Sequence, residues 1–88
     1  MDCWTIKFEP IAEKQLKKLD KETARSIQSY VNSKLIHKPR SKGKALSGNM
    51  RGLWRYRVGK YRIICRIRDS VLTVIVIEIG KRDQVYED

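Results

Sequence analysis

A chain of 88 residues makes one small domain, spanning residues 1–88, with a thin core. Its 41% hydrophobic content excludes a disordered chain, and no apolar run reaches the ~18–20 residues that a helical membrane span requires. Twenty Lys and Arg against ten Asp and Glu give a net charge of +10, which calls for an anionic partner: nucleic acid first, an acidic protein second, a membrane surface third.

Taken in chain order, Trp4, Ile6 and Phe8 alternate with Thr5 and Lys7 and predict a strand, closed by Glu9-Pro10. Over residues 10–19 the apolar positions Ile11, Ala12, Leu16 and Leu19 have helical spacing, and Glu13 stands four residues before Lys17 in the favourable orientation. Asp20 is placed to cap a second helix over residues 21–36, with Ala24, Ile27, Val31 and Leu35 as its apolar stripe and Pro39 beyond its end. The short link between the two predicts an antiparallel helical hairpin. Residues 38–52 read as a basic loop anchored by Leu46, Met50 and Leu53. Three strands follow, over residues 53–58, 61–68 and 71–79, joined by turns at Gly59-Lys60 and Asp69-Ser70 and ended by Gly80. The predicted fold is α+β in the order β-α-α-β-β-β, with the helices on one face of a four-stranded antiparallel sheet and the other face open.

Cys3 and Cys65 lack zinc spacing, and His37 alone cannot complete a site, so no metal is expected. His37 at a helix end reads as a capping or solvated residue. Without a basic leader followed by an apolar stretch, the chain reads as cytoplasmic with reduced thiols.

The charge is unevenly placed. Residues 23–68 hold thirteen Lys or Arg and not one Asp or Glu. Strand periodicity puts Arg55 and Arg57 on one face of the first hairpin strand, and Arg62, Arg66 and Arg68 on one face of the next. Neighbouring strands can pool these guanidiniums, an arrangement that repels itself unless an anion sits among them. The planar arginine fork matches phosphate bidentately and stays charged at cellular pH. Lys44 and Arg51 in the loop, Lys60 in the hairpin turn and Lys81 after the last strand extend the predicted substrate-binding surface. Trp4, Phe8, Trp54, Tyr56 and Tyr61 fall on apolar faces and read as core. Tyr86, in a polar tail after Arg82, is instead suited to stack on a base.

The element order resembles that of RelE/ParE toxins of type II toxin–antitoxin pairs. So do the segments Leu46-Ser-Gly-Asn-Met-Arg-Gly-Leu-Trp-Arg-Tyr-Arg-Val, Tyr61-Arg-Ile-Ile-Cys and Val76-Ile-Glu-Ile-Gly-Lys-Arg, the last continuing to Tyr86. The resemblance, closest to the RelE type, implies a ribosome-dependent endonuclease that cuts mRNA in the A site without metal or small-molecule cofactor. The 2′-hydroxyl attacks the neighbouring phosphorus and leaves a 2′,3′-cyclic phosphate. By the same resemblance Arg55 and Arg57 match the two basic residues of the family's second strand. Arg62 matches the arginine that stabilises the transition state, Arg82 the general acid and Tyr86 the base-stacking aromatic. The best-known member carries lysines where Arg55 and Arg57 stand, and arginine is a poor proton acceptor. The general base therefore stays open, with Lys60 and Lys81 as lower-ranked stand-ins. The family also implies an acidic, partly disordered antitoxin folding over the basic face. Two other readings remain: a ParE-like inhibitor of DNA gyrase, and a basic RNA-binding module without catalysis.

Overall fold

The computed structural model describes residues 3–81, and the predicted elements are found in the predicted order. Strand β1 covers Thr5–Phe8. Helix α1 covers Pro10–Lys17, with the proline in the first turn, where its missing N–H leaves nothing unpaired. Ala12 and Leu16, one turn apart, are its buried residues, whereas Ile11 is 65% exposed and does not join the stripe. Helix α2 covers Lys21–Tyr30. Its cap is Asp20, whose carboxylate accepts from the Thr23 amide at 3.1 Å and the Thr23 hydroxyl at 2.7 Å. The helix continues as one wider π-type turn over Val31–Leu35, so that Ile27, Val31 and Leu35 all stay in the core.

The remaining strands are β2 (Lys44–Ala45), β3 (Leu53–Val58), β4 (Tyr61–Arg68) and β5 (Thr73–Lys81). They form one sheet in the order β1-β5-β4-β3-β2. Two features differ from the four-stranded antiparallel expectation. The loop before β3 supplies a fifth, two-residue strand at the edge, pairing Lys44 with Arg55 and Ala45 with Trp54. Strand β1 lies parallel to β5, with Thr5 opposite Thr73 and Phe8 opposite Val76. The chain path explains this. Helix α2 returns the chain to the start of β1, where the Trp4 amide donates to the Ile36 carbonyl at 2.7 Å. Two hairpin reversals then leave β5 running in the direction of β1.

The β4–β5 connection is also longer than predicted. Residues 69–71 form a 3₁₀ turn, Leu72 is left-handed at φ 45, and β5 starts at Thr73 rather than Val71. Beyond Phe8, β5 has no β1 residue beside it. There α1 takes over, as the Ile79 amide donates to Oε1 of Gln15 at 2.6 Å. The helices and the sheet enclose one core of Ala12, Leu16, Ile27, Val31, Leu35, Tyr56, Ile63, Cys65, Val74, Val76 and Ile79. Each large aliphatic buried there contributes roughly 1.5–3 kcal/mol. No helix among the described residues is long and apolar enough to cross a membrane.

Candidate nucleic-acid interface

Alternation fixes which side chains leave the core. Along β3, Trp54, Tyr56 and Val58 pack towards the helices; along β4, Tyr61, Ile63, Cys65 and Ile67 do the same. Their neighbours Arg55, Arg57, Arg62, Ile64, Arg66 and Arg68 therefore share the opposite face. The register arranges them in rows. Arg57 pairs with Arg62, which pairs with Gly80. In the next row Lys44 pairs with Arg55, Arg55 with Ile64 and Ile64 with Glu78, spanning four strands. Then Leu53 pairs with Arg66, and Arg66 with Ile75. Directly paired Cβ atoms lie about 4.5–5.5 Å apart and diagonal ones about 7–8 Å. Lys44, Arg55, Arg57 and Arg62 thus occupy adjoining positions on one small surface.

The four cations are not equivalent. Arg57 is exposed, while Arg55 and Arg62 are 9% and 4% exposed. At that exposure the guanidinium is buried along with its stem. Beneath them lies an apolar floor: Leu46 and Ile64 are buried, and Met50 and Leu53 pack against them. The loop anchors foreseen from sequence thus cover part of this sheet face, not the helix side. Arg51, which follows the 3₁₀ turn Gly48–Met50, is exposed.

A second set of contacts pins the basic loop from the helix side. The buried Tyr56 hydroxyl donates to the Pro39 carbonyl at 2.8 Å. Burial pushes its phenol well above the usual value, so it remains a donor at any physiological pH. Arg40 makes a bidentate pair with Asp69, at 2.8 and 2.7 Å, and lies over Trp54 at 5.7 Å from the ring centroid. The Arg40 hydrogen bonds hold the Asp69 carboxyl below its ordinary range, and Asp69 in turn raises Arg40. Burial pushes the Cys65 thiol up, which removes it as a nucleophile at neutral pH.

The remaining expected residues are not all brought together. Lys60 sits in the β3–β4 turn, where Gly59 supplies the positive φ of 60. Lys81 pairs with Tyr61 and so projects on the helix side of the sheet, away from Arg62. Arg82 and Tyr86 lie outside the described residues. Conversely, Glu78 joins the arginine face, which simple alternation from Val74 and Val76 would have denied it. A bulge is responsible: Cys65 pairs with Val76 and Ile64 with Glu78, leaving Ile77 as the extra residue. A glutamate inside an otherwise apolar strand was the available signal. A groove of about 580 Å³ is lined by Arg25, Ser26, Tyr30 and Val58 among others.

The chain is a small α+β domain with a basic sheet face opposite a helical hairpin. The sequence profile of the ParE toxin of the type II toxin–antitoxin system parDE matches residues 6–86. Toxin RelG of Mycobacterium tuberculosis is 28% identical over 83 residues, 94% of this chain and 95% of that protein. Toxin RelE of the same organism is 31% identical over 75 residues, 85% of this chain and 77% of that protein. The crystal structure of the M. tuberculosis toxin–antitoxin complex RelBE2 contains a chain that superposes with a TM-score of 0.88 at 28% identity, covering 93% of this chain and 94% of that one. The chain belongs to the RelE/ParE superfamily of toxins of type II toxin–antitoxin systems.

Proposed function

We propose that the protein is a ribosome-dependent mRNA endonuclease that cleaves in the A site and arrests translation. The observation that carries this reading is the gathering of Lys44, Arg55, Arg57 and Arg62 on neighbouring positions of one sheet face. Such an array suits a phosphodiester, whose charge grows on the way to the pentavalent phosphorane. Cations fixed in advance around that centre lower the barrier without reorganising. In this reading Arg55, Arg57 and Arg62 hold the scissile phosphate, Arg62 acting most directly on the transition state. Arg66, Lys44, Arg51 and Lys60 guide the flanking backbone, with Lys81 in reach of a strand that wraps the sheet edge. Arg82 protonates the leaving 5′-oxygen and Tyr86 stacks on the base. No metal or organic cofactor takes part.

The partner in the resting state is an acidic antitoxin. The RelBE2 relative is described as a toxin–antitoxin complex, and a chain of charge +10 offers a matching surface. An acidic segment that folds over the arginine face would neutralise it and exclude RNA.

The test is a purified ribosome carrying mRNA with a defined A-site codon. Wild-type protein should release fragments ending in a 2′,3′-cyclic phosphate. Arg62→Ala and Arg55→Ala should each slow cleavage by roughly 100- to 1,000-fold, as loss of a preorganised charge does. Wild-type rates in both variants would overturn the assignment. One observation favours a second reading: the matching profile is that of the ParE toxin. Inhibition of DNA gyrase, or a binding role without catalysis, would leave programmed mRNA intact. DNA breaks with intact translation would identify the gyrase reading.

A further inference from the structure

Apart from Lys44 at the sheet edge, the cations of the basic sheet face are arginines, which offer no good acceptor for the 2′-hydroxyl proton. A guanidinium is already protonated near neutral pH and carries donors only, so it cannot take a further proton. Lys81 projects to the other side of the sheet, and Lys60 sits in the exposed hairpin turn.

Among the described residues, one carboxylate does reach this face. Ile63 and Ile79 are paired and both belong to the core beneath the helices. Glu78, next to Ile79, therefore projects to the opposite side, as does its partner Ile64, which packs with Leu46, Met50 and Leu53. Arg62 pairs with Gly80, two residues along, which makes Glu78 the diagonal neighbour of Arg62 at about 7–8 Å between Cβ atoms. Gly80 has no side chain to fill the space opposite Arg62. Arg55 stands in the same row as Glu78, two strands away, about 9–10 Å across at the usual strand spacing. Ile64, fully buried, lies between them as an apolar spacer. Glu78 is half-buried, and its carboxylate makes no hydrogen bond or ion pair among the described residues. A carboxylate is thus set on the same face as the cations, one diagonal position from Arg62 and two strands from Arg55.

We infer that Glu78 is the general base of RNA cleavage, accepting the 2′-hydroxyl proton while Arg55 and Arg62 hold the phosphate. This rests on the nuclease reading above. The 2′-oxygen forms its bond to phosphorus as its proton passes to the Glu78 carboxylate. The bond from phosphorus to the 5′-oxygen breaks, and that oxygen takes a proton from the general acid or water. The products are a 2′,3′-cyclic phosphate and a 5′-hydroxyl, with no change of oxidation state.

The experiment is single-turnover cleavage on programmed ribosomes by wild type, Glu78→Gln and Glu78→Asp over a range of pH, with binding of a single-stranded RNA oligonucleotide and thermal unfolding measured beside it. Glu78→Gln keeps size and shape and should unfold at the wild-type temperature. It should bind RNA as well as wild type or better, since a negative charge leaves the basic face. Its cleavage should fall roughly 100- to 10,000-fold, the range for a lost general base. Its residual rate should rise about tenfold per pH unit, because hydroxide must then remove the proton, while the wild-type rate rises less steeply. Glu78→Asp should recover part of the loss. Unchanged cleavage by Glu78→Gln, with or without tighter binding, would make Glu78 a mere counter-charge and overturn the inference. A loss that tracks lost RNA binding or lost folding would overturn it too, as would a wild-type pH dependence in the variant. Absence of cleavage by the wild type itself would instead defeat the nuclease reading, and Glu78 with it.

Discussion

Tyr56 shows how one side chain can serve the core and the interface together. Its ring is buried beneath the helices, edge-on to Tyr30 with centroids 6.4 Å apart, and its hydroxyl reaches the Pro39 carbonyl. The neighbouring Gly43 backbone lies so close that an added Cβ would stand 2.6 Å from the ring. Lys44 follows directly and pairs with Arg55 on the other face of the sheet. Tyr56→Phe removes the donor and leaves a carbonyl unsatisfied, so it should lower stability by about 1–2 kcal/mol. Gly43→Ala forces ring or backbone to move and should lower it by about 1–3 kcal/mol. Urea unfolding measures both. A wild-type midpoint in Gly43→Ala would mean that the loop is not seated against the ring.

At the scale of elements, the Arg40–Asp69 pair ties the basic loop to the β4–β5 turn, 29 residues further along the chain. Because Asp69 is held below its ordinary carboxylate range, the link supports the fold above the unfolded carboxyl pKa of about 3.9 and is lost as pH falls through the lower folded value. The Asp20 cap of α2 behaves in the same sense, its carboxyl being lowered by the Thr23 hydroxyl and amide. Asp69→Asn should therefore lower the unfolding temperature modestly at pH 7, the pair being exposed. Wild type and variant should converge as pH drops below about 4, and a gap that persists at pH 2 would exclude this account. Such a strut was not readable in advance, since nothing local links Arg40 to Asp69. The hairpin of β3 and β4 was, because its alternation is strict and Gly59 marks its turn. The helical hairpin was readable from Asp20 and the spacing of Ile27, Val31 and Leu35. The parallel seat of β1 depends on the whole chain path, and the bulge at Ile77 breaks the period on which strand reading relies. The bulge sets Lys81 on the helix side and Glu78 on the arginine face.

For the whole molecule the decisive quantity is where the +10 charge lies, not its total. Lys14 and Lys17 sit on α1, on the helical side of the sheet, whereas Lys44, Arg55, Arg57, Arg62 and Arg66 share the opposite face, where Arg55 and Arg62 are buried. A diffuse cation would weaken RNA binding about equally whichever charge were removed. A localised interface would not, because only cations that neutralise phosphates release counterions. For single-stranded RNA the slope of log K against log salt is about −0.7 per phosphate neutralised, so three to five contacts predict roughly −2 to −3.5. Arg57→Gln and Arg66→Gln should each reduce the steepness by about 0.7, while Lys14→Gln and Lys17→Gln should leave it unchanged. Arg57 lies directly opposite Arg62 and is exposed, so Arg57→Gln should also keep or raise the unfolding temperature by relieving repulsion. Equal loss of slope from the helix and sheet variants would place RNA on no particular face. Loss confined to the sheet variants would place the RNA on the arginine face, where its phosphates take up the charge concentrated there.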